Sequence, residues 1–88
     1  MFAFWRKRRE IYALLFIGDG SSVKINNYRS LRKAQLGMIK ECYKAQTNKQ
    51  IEGFLDCEIH YTSSLSAHIE WNQGKEFKAF HIYRTYLQ

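Results

Sequence analysis

Helical periodicity is confined to one segment of this chain, and that restricts the fold more than any other feature. Over residues 30–45 the apolar positions recur at intervals of three and four, and Ser30 is a favoured N-cap residue. On a helical wheel five of these positions form one stripe, and Ile39 lies on its flank. The five are Leu31, Ala34, Met38, Cys42 and Ala45. The sequence predicts one amphipathic helix, with a polar loop over residues 47–50. Gly37 lies on its polar side, where a close-approaching partner or tolerated drift would account for it.

Strand patterns surround this helix. Residues 11–17 are apolar and end at a Gly-Asp-Gly turn, and residues 23–25 alternate as a short returning strand. After the helix, residues 55–61 and 66–71 alternate apolar and polar side chains, and residues 77–86 form a last strand. The order is β-β-α-β-β-β. It predicts an α+β fold, a two-layer sandwich in which one helix packs on one face of an antiparallel sheet.

The hydrophobic pattern predicts the pairing of the two middle strands of the second half. Placing Ile59 opposite Ile69 keeps both apolar sets on one face. The same register sets His60 opposite His68. It also sets Glu58 opposite Glu70.

For the last hairpin two registers are open. A five-residue loop pairs Trp71 with Phe77 and Glu70 with Lys78, and we expect this one because both pairs are favourable. A two-residue Gln73-Gly74 turn would pair Glu70 with Phe77 instead.

Charge is divided unevenly along the chain. Residues 1–49 hold eleven Lys or Arg and three Asp or Glu, whereas residues 50–88 hold three and five. A basic end of this kind favours phosphate-rich or acidic partners. It argues against an acidic DNA mimic.

Two groups of cations are candidate binding residues. Arg6, Lys7, Arg8 and Arg9 follow Phe2, Phe4 and Trp5 in an arm over residues 1–9, ahead of a single domain over residues 10–88. Four adjacent cations can neutralise phosphates while aromatic rings stack on bases or enter a membrane interface. A frayed terminus that covers the sheet edge is the simpler interpretation. The second group lies along the helix: Arg29, Arg32, Lys33, Lys40 and Lys44. Cations spaced in this way can contact successive phosphates of a nucleic acid. The alternative interpretation is an ordinary solvated helix face.

An apolar interaction surface is predicted beside the first strand. Tyr12, Leu14 and Phe16 are as apolar as the residues between them, and one helix leaves the far side of the sheet uncovered. We expect either the arm residues Phe2, Phe4 and Trp5, a second copy of the chain or another partner to cover that side.

Metal binding and catalysis are not expected. His60 and His68 can meet on the open side of the sheet, but in the favoured register His81 points to the opposite face, so no metal or cofactor is expected. Cys42 and Cys57 are isolated and are predicted to be reduced core residues. No phosphate-binding glycine loop, nucleophile elbow or carboxylate cluster is present in the sequence.

The layout resembles that of a known group of proteins. A strand over residues 12–17, a short strand over residues 23–25, and a helix opened by Ser30, Leu31 and Ala34 as Ser-Leu-x-x-Ala precede three aromatic-rich strands. This is similar to small β-β-α-β-β-β proteins of phages and mobile elements, including several anti-CRISPR proteins. The resemblance covers most of residues 10–86 and implies non-enzymatic inhibition, by docking on a CRISPR effector complex and blocking target DNA. The arm departs from the plan, and no functional residue is carried over.

Three functions follow as expectations. The first is a phage-type inhibitor that docks on a host protein or nucleoprotein complex. The second is direct binding of DNA or RNA by the arm and the helix cations. The third is a membrane-surface or homo-oligomeric structural protein, for example a homodimer. Apolar residues precede basic ones at the start and no apolar run approaches bilayer length, so we expect a cytoplasmic protein without a transmembrane segment, in the host cytoplasm if phage-encoded.

Overall fold

The computed structural model describes residues 10–18 and 21–86, and in them the predicted α+β layout is confirmed. The elements in chain order are β1 (Glu10–Gly18), β2 (Ser21–Tyr28), α1 (Leu31–Ile51), β3 (Glu58–Ser63), β4 (Ser66–Trp71) and β5 (Glu76–Tyr86). The arm over residues 1–9 lies outside the described residues.

The five strands form one antiparallel sheet in the order β2-β1-β5-β4-β3. The last strand, β5, is therefore central. It pairs with β1 on one side, where Leu14 lies opposite Ile82, and with β4 on the other, where Ala67 lies opposite Phe80. The two halves of the sheet meet only at this β1–β5 pairing, and α1 lies between them in sequence and contacts all five strands.

The core lies between α1 and one face of the sheet. The predicted helix stripe is confirmed, because Ala34, Met38 and Cys42 are buried and Leu31 and Ala45 pack at their margin. The buried residues that face them from the sheet and the turn before it are Leu14, Cys57, Ala67, Ile69, Trp71, Phe80 and Ile82. The strand residues of this set follow from alternation, because every second side chain of a strand points to the helix.

The helix is longer than the sequence pattern indicated. Residues 47–50 were predicted to be a loop, which is wrong, because α1 continues to Ile51. Polar residues do not by themselves end a helix, and the first residue that does is Gly53, whose φ of 110° is open to glycine. Two polar side chains also bind this last part to the sheet. Gln46 Nε2 donates to the Cys57 carbonyl at 2.9 Å, and Lys49 Nζ lies 4.4 Å from the Trp71 ring centre.

The third strand also begins later than predicted. Leu55 was expected to be a buried strand residue, but β3 begins at Glu58 and Leu55 is 82% exposed in the preceding turn. Phe54 packs against the core instead, and its carbonyl accepts a hydrogen bond from Cys57 N at 3.2 Å. The apolar alternation therefore began three residues before the strand that it indicated.

Of the two predicted strand pairings, one is confirmed and the favoured form of the other is wrong. Ile59 lies opposite Ile69 as expected, but the last hairpin pairs Glu70 with Phe77 and not with Lys78. The turn decides this register. Gln73 and Gly74 have φ of 58° and 78°, and two positive values are what the tight hairpin turn matched to strand twist requires.

A side chain from outside the hairpin holds this turn. Asp56 Oδ2 accepts a hydrogen bond from Gln73 N at 2.6 Å, and this bond lowers the pKa of the Asp56 carboxyl. The contact joins residues that the strand pattern treats as independent. In the observed register the hairpin turn is therefore joined to the loop before β3.

Gly37 is explained by packing within the domain. A Cβ atom at this position would collide with the hydroxyl of Tyr28 and lie 3.1 Å from its Cε1 atom. Tyr28 is the last residue of β2, so the ring connects this edge strand to the helix. Neither a partner nor drift is needed to account for the glycine.

The helix N-cap gives a first prediction. Ser30 Oγ accepts a hydrogen bond from Lys33 N at 3.2 Å, so Ser30→Ala should lower the free energy of unfolding. We expect a loss of about 0.5 to 2 kcal/mol, measured by urea denaturation. Ser30→Asp keeps an acceptor and should remain close to wild type. Equal losses in both variants would contradict a capping role.

Candidate functional site

The cations predicted on the helix are all exposed. Among the described residues, none of them lies within 4.0 Å of a carboxylate: Arg29, Arg32, Lys33, Lys40 and Lys44. At 100° per residue, Lys33, Lys40 and Lys44 fall within about 40° of one another on the helix. The structure therefore groups three of the five as a lysine stripe. Arg32 lies away from it, and Arg29 precedes the helix.

An exposed apolar row runs beside the lysine stripe, and the sequence analysis missed it. Leu36 and Tyr43 are each 58% exposed, and Ile39 lies between them on the same side of α1. The row continues toward β3. Burial and the nearby Cys42 and Tyr43 raise the pKa of Tyr61, which is itself half-exposed.

The spacing of these residues was available in the sequence. Positions 36, 39 and 43 have helical intervals but lie off the buried stripe, which is the pattern of an apolar surface without an internal partner. We call Leu36, Ile39, Tyr43 and Tyr61 the apolar row. It borders the lysine stripe along the outward side of the helix.

The predicted apolar surface on β1 is on the wrong face. Leu14 is fully buried, and Tyr12 and Phe16 pack against the core, so these three side chains face the helix. The Phe16 ring, for example, lies 5.9 Å from that of Phe80. Because side chains alternate along a strand, the face of β1 opposite α1 carries its other apolar residues: Ile11, Ala13, Leu15 and Ile17. Phe2, Phe4 and Trp5, and the cations Arg6, Lys7, Arg8 and Arg9, lie outside the described residues.

A cluster of histidines and glutamates occupies the other half of the sheet, on the face opposite α1. His60 Nε2 lies 3.1 Å from Glu70 Oε1 and 3.4 Å from Glu58 Oε2, and His68 Nε2 lies 3.8 Å from Glu70 Oε2. The rings of His60 and His68 are stacked with centres 4.9 Å apart. The confirmed β3–β4 register places these residues together. We call His60, His68, Glu70 and Glu58 the His–Glu cluster.

His81 shares this face, contrary to the expectation. In the observed register His68 lies opposite Ala79, so His81 projects to the same side two residues later. It contacts Tyr83, with ring centres 4.6 Å apart. The one-residue difference in the last hairpin moves every β5 side chain to the opposite face.

A groove of about 450 Å³ lies on the other side of α1, between the helix and β2. Phe16, Val23 and Ile25 contribute apolar side chains to its wall. Its remaining lining residues are Glu41, Lys44, Ala45, Asn48, Lys49, Glu52, Lys78 and Phe80. Both signs of charge are present, so the groove does not favour one kind of ion.

Both cysteines are buried and free, as predicted. Burial raises the pKa of Cys42 to about 11, and the neighbouring Glu41 adds to this effect. Burial also raises the pKa of Cys57. Nucleophilic cysteines have a lowered pKa, so these two thiols lack the ionisation that such chemistry uses.

No helix of residues 10–18 and 21–86 is long and apolar enough to cross a membrane.

No protein-family model matches the chain, and comparisons with curated proteins and with solved structures found no match.

Proposed function

We propose that this chain is a non-enzymatic binding protein, an inhibitor that docks on a host protein or nucleoprotein complex and blocks access of nucleic acid. The outward side of α1 is the docking surface. The observation that carries the proposal is the position of the apolar row directly beside the lysine stripe. Exposed apolar and cationic residues on adjacent sides of a helix match an interface with an apolar centre and a charged rim.

The apolar row distinguishes a protein partner from bare nucleic acid. Leu36 and Ile39 are aliphatic and have no favourable contact on a phosphate backbone, whereas an aromatic ring such as Tyr43 serves both kinds of partner. Lys33, Lys40 and Lys44 would steer the chain toward an acidic surface and fix its orientation there. The partner we propose is therefore a protein surface with acidic residues around an apolar patch.

The surroundings of the reactive side chains support a binding role without catalysis. Cys42 and Cys57 are buried with raised pKa values. The side chains of the His–Glu cluster are partly exposed, so water is not excluded from them as it is from most active sites.

A second candidate function is direct binding of DNA or RNA. The observation that favours it is the exposure of Arg29, Arg32 and the lysine stripe without carboxylate partners among the described residues. Unpaired cations release counterions when they meet phosphates, and the affinity then falls steeply with salt.

Paired variants separate the two functions. We expect the tagged chain to retain a stoichiometric protein partner from nuclease-treated host lysate, and Leu36→Asp with Tyr43→Asp should weaken that binding at least tenfold. Lys33, Lys40 and Lys44 changed to Glu should weaken it as well, mainly through slower association. A matched control changes three exposed cations elsewhere, Lys24, Lys75 and Arg84, to Glu, and should bind as wild type.

Binding to random duplex DNA tests the second function and can contradict the first. If the second function holds, the apolar variant binds DNA as wild type does, and the lysine variant reduces the slope of log affinity against log salt by about 3. Such a result, together with loss of the protein partner after nuclease treatment, would replace the proposed docking function with direct nucleic-acid binding.

A further inference from the structure

We propose that His60, His68 and Glu70 form a binding site for a divalent transition metal ion of the zinc type. The site lies on the face of the sheet opposite α1, away from the helix surface assigned to docking. It is independent of the proposed function.

The spacing of the donor atoms carries the proposal. One ligand atom from each of His60, His68 and Glu70 lies within 4.8 Å of the other two. Zinc binds imidazole nitrogen and carboxylate oxygen at about 2.0 to 2.2 Å, so tetrahedral ligands stand about 3.3 to 3.5 Å apart. Each histidine already faces one oxygen of the Glu70 carboxylate, with 3.1 Å between His60 Nε2 and Oε1 and 3.8 Å between His68 Nε2 and Oε2. Small side-chain rotations complete the geometry.

The backbone holds the three ligands on neighbouring strands. His60 and His68 are a directly opposed pair on β3 and β4, and Glu70 follows His68 by two residues on the same face. Their imidazole rings lie nearly parallel, with an interplanar angle of 18°. The sheet therefore brings the donors together before an ion binds, which lowers the cost of ordering them.

Charge around the cluster also favours a cation. Glu58 Oε2 lies 3.4 Å from His60 Nε2, so a second carboxylate stands beside the three ligands and can supply a fourth. Within residues 10–18 and 21–86, no Lys or Arg lies within 4.0 Å of Glu58 or Glu70. Among the described residues, these two carboxylates therefore have histidine as their only basic partner.

Ligand type selects the ion. Two imidazoles favour zinc, copper or nickel, whereas magnesium and calcium prefer sites built only from oxygen. The side chains are partly exposed, and a shallow cavity of about 330 Å³ beside His68 and Glu70, bordered by Gly74, Phe77 and Ala79, gives an ion access. The remaining coordination position is open to water or Glu58.

The test is a titration of the metal-free full chain with Zn²⁺ alone at pH 7.5, by calorimetry and by competition with a chromophoric chelator. We expect one ion per chain with a Kd below about 10 µM, tighter than single exposed imidazoles provide. Glu70→Gln and His68→Ala should each weaken binding at least about tenfold. His81→Ala removes a histidine from the same face outside the cluster and should change Kd less than twofold. A hundredfold excess of Mg²⁺ should not compete.

Nuclear magnetic resonance keeps the test decisive if a variant fails to fold. In the wild-type chain, Zn²⁺ should shift the imidazole resonances of His60 and His68 and leave those of His81 in place. The proposal is overturned if Zn²⁺ binds no more tightly than to Glu70→Gln, or if His81 responds as His60 and His68 do. Either result leaves the cluster as a set of histidine–glutamate hydrogen bonds.

Discussion

Leu14→Ala should lower the free energy of unfolding by about 2 to 5 kcal/mol, enough to leave a domain of this size marginally stable. Leu14 is fully buried and is one of the largest such side chains. It lies opposite Ile82, at the pairing that joins the two halves of the sheet. Shortening it removes apolar contact and leaves a cavity between the sheet and α1, and both effects weaken the fold.

The measurement is urea denaturation followed by circular dichroism, with Leu15→Ala as the matched control. Leu15 is the same residue type on the same strand, but it is only partly buried and faces away from the helix. We expect the control to cost about half as much or less, since less apolar area leaves water there. Equal losses in the two variants would contradict the assignment of Leu14 to the core face.

Gly37→Ala should also destabilise the protein, although alanine is the better helix former. The helix gains about 1 kcal/mol in propensity from the change. The added methyl group collides with the Tyr28 ring, however, and displacing that ring disturbs the packing of β2 on α1. Overpacking of this kind costs about 1 to 3 kcal/mol, so the expected net change is a loss.

A double-mutant cycle isolates the collision. In a Tyr28→Ala background the obstacle is absent, and Gly37→Ala should then raise the free energy of unfolding by up to about 1 kcal/mol. Tyr28→Phe removes only the hydroxyl, which is the atom nearest the added methyl, and should restore part of the loss. An effect of Gly37→Ala that is the same in all three backgrounds would show that Tyr28 is not its cause.

Local sequence patterns were sufficient to predict much of the fold. The helix stripe from Leu31 to Ala45 and the pairing of Ile59 with Ile69 depend on periodicity within one segment or between adjacent ones, and both are confirmed. The prediction of the last hairpin's register failed because cross-strand pairs differ in stability by only about 0.2 to 1 kcal/mol. The preference for pairing Trp71 with Phe77 was therefore weak. The observed register instead has positive φ at Gln73 and Gly74 and a hydrogen bond from Gln73 N to Asp56.

Periodicity could not predict which face of β1 packs against the helix. Residues 11–17 are apolar at both parities, so alternation does not distinguish Leu14 from Leu15. Only the position of α1 makes that choice. The same limit applies to the candidate sites: exposure of Lys33 and Lys40 follows from the helix wheel, whereas the side of the sheet that His81 takes depends on the hairpin register.

The central place of β5 also sets when the chain can fold during its synthesis. Leu14 pairs with Ile82, which is synthesised 68 residues later. Until then β2 is the only one of the two neighbouring strands in the described sheet that β1 can pair with. Contacts between such distant residues make folding slow, and until they form the apolar side of β1 is open to chaperones or to a neighbouring nascent chain. Formation of the sheet therefore depends on prior synthesis of β5, and the folding yield should depend on how well β1 is protected until then.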